Sequence, residues 1–192
     1  MKVLLINVPF RRIVYNFSGT HPMAPLGVAY IAAVLEAAGH EPVILDLPAE
    51  PRPRDEVARL VAEGGFGLVG LSTTLFSLKE AQDMAAAIRA AAPGVPVLAG
   101  GPGTASFSPE VLLDRLPSLD MWIDGEGEAT TLELVQALER GLDTPVPGVS
   151  LLSGDGSVVS GPERASADLG QLPLPARHLL PLRRYRGGPA YK

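Results

Sequence analysis

The sequence contains no cysteine. This excludes a disulfide frame, a Cys-ligated zinc, a Cys-held iron–sulfur cluster and a thiol nucleophile within the chain. Charge is sparse: 19% of residues are charged and the formal net charge is −5. That mild acidity argues against nucleic acid as a whole-surface partner. No apolar run approaches the roughly 20 residues of a membrane helix. Met1-Lys2 leads directly into Val3-Leu4-Leu5-Ile6, which is too short for a signal-peptide core and is followed by no A-x-A site. The expected setting is therefore cytoplasmic, with neither a membrane nor a nucleic acid as partner.

What the sequence does hold is enough for a core. Of its 192 residues 46% are hydrophobic, and 21 Gly and 19 Pro punctuate them. The length fits one ordinary domain with a short appendage, and the apolar fraction excludes wholesale disorder. Charge is unevenly placed. Residues 176–192 carry five basic side chains and no acid, leaving 11 basic against 21 acidic residues in 1–175. Such a tail either docks on the acidic body or another domain, or is simply solvated.

Strand-like and helix-like segments alternate along the chain. Lys2–Val8 (KVLLINV) is continuously apolar and closed by Pro9, as expected of a strand buried on both faces. Residues 10–24 lack a period and read as a loop. Pro25 then opens a helix over Leu26–Ala38, stopped by Gly39. Four more strands are predicted at Glu41–Leu47, Gly67–Ser72, Val95–Gly100 and Asp120–Asp124. Helices are predicted at Asp55–Glu63, about Ser77–Ala92, Ser108–Leu116, and from Glu126 or Glu128 to near Gly141. This rhythm predicts an α/β, Rossmann-like domain: a parallel sheet wound as in flavodoxin, order 2-1-3-4-5, with flanking helices. After Asp143 the pattern changes. Val146–Leu152 and Ser157–Ser160 flank Gly154-Asp155-Gly156, a hairpin signal, and the Leu- and Pro-rich stretch from Asp168 to Arg186 reads as an extended arm leading outward. The expected division is 1–143 for the Rossmann-like domain, 144–167 for the hairpin and 168–192 for the arm or linker.

In such a sheet ligands bind beyond the carboxyl ends of the strands, near the switch in strand order. The turns there begin with Pro9 and Phe10 after the first strand. They continue with Ser72, Thr73, Thr74 and Leu75 after the third, and Gly100, Gly101, Pro102 and Gly103 after the fourth. The fifth strand is followed by Gly125, Glu126, Gly127 and Glu128, and Leu26 opens the first helix. Small residues let a large ligand approach the backbone, and hydroxyls add donors and acceptors without bulk. No phosphate fingerprint is present: the first loop is nearly free of Gly, and Glu126 and Glu128 flank Gly127, where they would repel a pyrophosphate. Glu126 and Glu128 read either as an acid/base pair or, preferably, as helix-dipole acids with amide contacts. Asp46 ends the second strand, where a ribose-binding or phosphoacceptor role comes into question; Asn7 and Asp124 stand where a receiver domain needs an acid cluster and a Lys, which disfavours the latter, and Trp122 reads as core. His40 reads as structural and His178 as an interface contact. No side chain is a convincing general acid, base or nucleophile.

The ordered landmarks NVPF…PLGVAYIAAVLEAAGHEPVILDL, GLVGLST, VPVLAGGPGTA, DGEGEATTLELVQAL and LPLPARHLLPLRRYR span nearly the whole chain. Together they resemble the cobalamin (B12)-binding N-terminal domain of B12-dependent radical SAM enzymes. Of the wider family's pattern of D-x-H-x-x-G, S-x-L and G-G, Ser72-Thr73-Thr74 takes the second place, with Thr74 for Leu, and Gly100-Gly101 the third. The first is missing. His21 stands in the first loop, but Gly19 and Ala24 occupy the positions of the motif's Asp and Gly, so an ordinary loop His is preferred over a cobalt ligand.

The resemblance implies cobalamin bound base-off, its dimethylbenzimidazole tail in a slot beside the sheet, without a protein His ligand. Ser72, Thr73, Thr74, Gly100, Gly101 and Pro102 would line that slot, and Glu126 to Glu128 would meet the corrin amides. It also implies S-adenosylmethionine and a [4Fe–4S] cluster only in an absent radical SAM catalytic domain, in cis or in trans, and chemistry of the methyltransferase kind. Two alternatives stand beside it: a vestigial B12-type fold serving as a scaffold, and a nucleotide- or flavin-binding domain of the same winding.

Overall fold

The fold is described from a computed structural model over residues 1–10, 23–104, 106–108, 111–112, 115–141, 146–153, 155–165 and 169–185. The apolar run at the start of the chain becomes β1 (Lys2–Asn7), with Val3, Leu4, Leu5 and Ile6 all buried. A strand apolar at every position needs cover on both faces, and the helices supply it. β1 pairs in parallel with β2 (Glu41–Asp46) on one side and β3 (Leu68–Ser72) on the other. β4 (Val97–Gly100) and β5 (Met121–Ile123) continue the parallel sheet. The winding therefore reverses between β1 and β3, as predicted.

The hairpin is not a separate appendage. β6 (Val149–Leu152) pairs antiparallel with β5, and β7 (Val158–Ser160) with β6, giving one seven-stranded sheet of order β2-β1-β3-β4-β5-β6-β7. β5 is shorter than the predicted Asp120–Asp124, and the side chains of the two flanking acids make hydrogen bonds of their own. Asp120 accepts hydrogen bonds from the Val97 N–H at 2.8 Å and from Arg89 at 2.6 Å. Asp124 accepts one from the Ser150 hydroxyl at 2.9 Å.

One face of the sheet is covered by α2 (Arg54–Gly64) and α3 (Leu78–Ala91), which bury Val57, Val61, Met84 and Ile88 against Leu4, Ile6, Val69 and Leu71. Leu112, Leu116, Leu119 and Trp122 complete that core. The helix predicted from Ser108 is helical at residues 111–112 and 115. α3 starts one residue later than predicted because Leu75–Ser77 forms a 3-10 turn, closed by reciprocal hydrogen bonds between Thr74 and Ser77.

The other face is covered by α1 (Leu26–Ala37) and α4 (Gly127–Glu139), over Val3, Leu5, Leu98 and Ile123. The arm joins this face as well. Ala176, Leu180 and Tyr185 are buried in the same core. The Ala176 N–H donates to the Ala29 carbonyl at 2.9 Å, His178 Nε2 meets a Glu36 carboxylate oxygen at 3.0 Å, and the Tyr185 hydroxyl donates to Asp46 at 2.6 Å. The arm thus stays on the body as far as Tyr185 instead of leading away from it. Three 3-10 turns, Leu169–Gln171, Arg177–Leu179 and Leu182–Arg184, break its extended course. Of the two readings of the basic tail, docking on the acidic body holds for this stretch.

Candidate functional site at the carboxyl edge of the sheet

Parallel strands place all their following turns on one edge. Val8 N–H donates to the Ser72 carbonyl at 3.2 Å, so the turn after β1 lies beside the turn after β3. Thr73 N–H and its hydroxyl both donate to the Gly100 carbonyl, at 2.8 and 3.0 Å, so the turn after β3 lies beside that after β4. Here the glycines serve contact between loops. A Cβ on Gly101, whose φ is +99°, would stand 2.7 Å from the Thr73 carbonyl oxygen. One on Gly103 would stand 2.6 Å from the Thr74 carbonyl carbon. The room that these two small residues were expected to leave for a ligand is filled by the neighbouring backbone. Gly100 differs, since a Cβ there would make only an ordinary 3.6 Å contact with Ile123.

Large apolar side chains are exposed along the same edge. Phe10, Met23, Leu26, Leu75 and Phe76 are all exposed, from 43% for Leu26 to 77% for Met23. They belong to the turns after β1 and β3 and to the start of α1, all on this edge. Five large apolar side chains in water on one edge are not a normal way to finish a soluble surface. The helix starts here are also unfinished: neither Pro25 before α1 nor Glu126 before α4 makes a side-chain capping hydrogen bond. Gly125, with φ +87°, turns the chain into α4. Glu126 is exposed and Glu128 partly so; Glu128 lies in the first turn of α4, where it favours the helix dipole.

Sequence reasoning did not foresee two features. Asp46 is 3% exposed and held by Asn7 Nδ2 at 2.7 Å and the Tyr185 hydroxyl at 2.6 Å. It is a buried anchor for the arm, not an acid presented to a ribose or a phosphoryl group. Nothing local in the sequence pairs residues 46 and 185. The second is Thr131, 1% exposed, whose hydroxyl has no hydrogen-bond partner among the described residues. Its sequence signal was a polar residue on the apolar stripe of α4 shared with Leu134 and Val135. His21 lies outside the described residues. A cleft of about 770 Å³ lies between Glu50 and residues 180–184 of the arm. Among the described residues no group of acids and histidines could hold a metal ion, and no helix is long and apolar enough to cross a membrane.

Residues 13–135 match the model of the B12-binding domain family. The chain belongs to that family. Among its relatives, an uncharacterized methyltransferase of Pyrococcus horikoshii is 31% identical over 189 residues, covering 97% of this chain and 40% of the relative. The hopanoid C-3 methylase of Methylococcus capsulatus is 33% identical over 165 residues, covering 84% and 30%. This B12-binding domain thus spans well under half the length of these relatives. Among solved structures, the radical S-adenosylmethionine methyltransferase TsrM of Kitasatospora setae superposes with a TM-score of 0.69 at 25% identity, over 84% of this chain and 30% of that one. The cobalamin-dependent S-adenosylmethionine radical enzyme OxsB, solved with aqua-cobalamin and S-adenosylmethionine, gives 0.77 at 22%, over 93% and 24%, a likeness of fold. The B12-binding domain described here is therefore of the type found in B12-dependent radical SAM enzymes, as its sequence landmarks indicated.

Proposed function

We propose that this domain binds cobalamin across the carboxyl edge of its sheet, base-off and without a histidine from the chain on cobalt, as the cofactor-binding part of a radical SAM methyltransferase-like enzyme. The observation that carries the reading is the edge itself. Exposed Phe10, Met23, Leu26, Leu75 and Phe76 surround turns made of hydroxyls, glycines and backbone amides. A corrin is broad, apolar on its faces and rimmed by amides. It asks for apolar contact and many modest hydrogen bonds, which is what this edge offers. The uncapped starts of α1 and α4 supply further N–H donors. Thr131 adds a buried hydroxyl in want of a partner. The residues present therefore fit the cofactor.

In this reading Pro9, Phe10, Leu26 and Leu75 support the corrin, and Ser72, Thr74, Gly100 and Pro102 border its tail. Gly125 to Glu128 meet its amide rim. Bound cobalamin would supply a cobalt centre suited to transfer of a one-carbon group. With no cysteine, the cluster and S-adenosylmethionine belong to a radical SAM domain joined in cis or in trans. The relatives' greater length supports that partner.

The test is reconstitution of the chain with hydroxocobalamin, desalting, and a visible spectrum. A retained corrin band at micromolar protein supports the proposal, and its position reports whether a protein nitrogen ligates cobalt. Loss of the band on desalting overturns it in favour of a scaffold. Retention of a flavin or nucleotide under the same conditions, without retention of cobalamin, would favour the other ligand class.

A further inference from the structure

The arm and the carboxyl edge share one buried carboxylate. β1, β2 and β3 end level with one another, and Asn7 stands between Asp46 and Ser72 in the parallel register. The turn after β1 is held from both sides. The Asn7 carbonyl accepts from the Leu47 N–H at 3.3 Å, and the Val8 N–H donates to the Ser72 carbonyl at 3.2 Å. Val8 leads directly into Pro9 and the exposed Phe10. Asn7, itself partly exposed, is the residue from which that turn departs.

Its side chain is fixed by Asp46. Asn7 Nδ2 donates to Asp46 Oδ1 at 2.7 Å, and the Tyr185 hydroxyl donates to Asp46 Oδ2 at 2.6 Å. One carboxylate therefore bridges the end of β1 to the end of the arm, with a separate oxygen for each. Asp46 is 3% exposed and Tyr185 6%. Among the described residues two neutral donors meet this carboxylate, and no cation does. A buried carboxylate so placed depends on both donors. When Tyr185 leaves, Asp46 loses one donor and its cover together. It then turns to water, and the Asn7 amide loses its fixed acceptor.

The arm is suited to such a local departure. Between residues 176 and 185 it buries Ala176, Leu180 and Tyr185, while Arg177, Leu182, Arg183 and Arg184 are exposed. We infer that Tyr185 and Asp46 are positioning residues for the cofactor, acting through Asn7. With Tyr185 docked, Asp46 holds Asn7, and the turn of Pro9 and Phe10 is set for the corrin. With the arm undocked, that turn is loose. Cobalamin binding and arm docking then strengthen each other by one common factor, as linkage requires. This rests on the reading that the domain binds cobalamin at this edge. It adds that the segment leading on to residue 186 registers whether the cofactor is in place.

The test measures hydroxocobalamin affinity by equilibrium titration for the 192-residue chain, Tyr185→Phe, Asn7→Ala and the double variant, with circular dichroism confirming that each is folded. Tyr185→Phe is expected to weaken binding about fivefold, within the reach of a single hydrogen bond. Asn7→Ala should lose about as much, and the double variant no more than either alone. In the unsubstituted chain, saturating hydroxocobalamin should slow trypsin cleavage after Arg183 and Arg184 by at least as large a factor. A tyrosine that serves only as an anchor would free the arm without moving the affinity, so an unchanged affinity in Tyr185→Phe overturns the inference. Losses that multiply in the double variant overturn it as well, because the effect then does not pass through Asn7. Arm cleavage as fast with bound cobalamin as without it does the same, and this readout needs no variant. A chain that retains no cobalamin defeats the cofactor reading itself, and this coupling with it.

Discussion

The five parallel strands and the stretch from residue 146 to 185 belong to one molecule but are held by different means. Each parallel strand is followed or preceded by a helix close in sequence, and each pair buries apolar side chains against the next. Val57, Val61, Ile88 and Leu71 meet in a core whose buried members lie between residues 4 and 122, with partly buried Val158 packed against it. The later stretch places Val146, Val149, Leu180 and Tyr185 in the core of the other face. The hairpin is fastened by ladder bonds and by a polar chain, Asp124 to Ser150 to Ser160, with 2.9 and 2.8 Å links. The arm is fastened by three buried residues and the Tyr185–Asp46 bond. Both bury apolar area, and the extension adds particular polar partners to it. The two should therefore fail differently, the first through lost volume and the second also through single lost donors.

The sharpest way to draw that contrast is to cut a cavity in the body. Ile88, fully buried between α3 and the sheet, is expected to cost about 2–5 kcal/mol when changed to Ala. Urea unfolding monitored by circular dichroism reads this directly. The loss should be the same whether or not the arm is intact, because Ile88 and Tyr185 lie in separate clusters on opposite faces.

Next in size is Gly101→Ala. The new Cβ would collide with the Thr73 carbonyl oxygen at 2.7 Å and hold a non-glycine residue at φ +99°, for an expected loss of about 1–3 kcal/mol. Thermal unfolding checks it, with Gly100→Ala as the contrast. That change meets only Ile123 at an ordinary distance and should be much milder. Equal losses would mean that the turns after β3 and β4 do not rest on each other as closely as the geometry has them.

On the extension, Tyr185→Phe removes one donor from a carboxylate that is 3% exposed. Leaving a buried acceptor short by one hydrogen bond costs about 1–3 kcal/mol, here shared with the Asn7 donor, which remains. The expected loss lies toward the lower end. It should also free the arm, read as faster proteolysis near residues 177–186 while the parallel body stays protected. Loss of stability without loss of arm protection would place the Tyr185 contribution elsewhere.

This division also explains what the sequence disclosed. The parallel strands could be read because an apolar run such as Val3-Leu4-Leu5-Ile6 has few other places to go, and the helices because Pro25, Gly39 and Gly65 mark their ends. The hairpin was legible from Gly154-Asp155-Gly156, but its partner was not, because strand pairing across an edge leaves no local trace. The arm was legible as non-helical and misread in direction, because the Tyr185–Asp46 contact spans 139 residues and no periodicity encodes it. At the candidate site, the turns were found by the rule that ligands meet the carboxyl edge. The purpose of their glycines was not: Gly101 and Gly103 read as space for a ligand and prove to be space for a neighbouring loop. Thr131 was passed over because a threonine on an apolar stripe reads as filler until its hydroxyl is seen to lack a partner.

The smallest expected effect belongs to the hairpin turn and is one of pH. Asp155 accepts hydrogen bonds from the Ser157 hydroxyl and N–H, at 2.7 and 2.9 Å, and these hold its carboxyl below its ordinary value of 3.8. A carboxyl depressed in the folded state adds stability that is complete above the unfolded value and disappears as pH falls through the folded one. The turn's contribution should therefore be level from neutral pH down to about 5 and fade below about 4. Asp155→Ala removes both the acceptor and its titration. Its melting temperature should lie slightly below that of the parent at pH 7, and the gap should narrow toward pH 3 as the parent loses the same bonds. A gap that widened in acid would mean that the carboxyl is raised by folding, contrary to the two donors that face it.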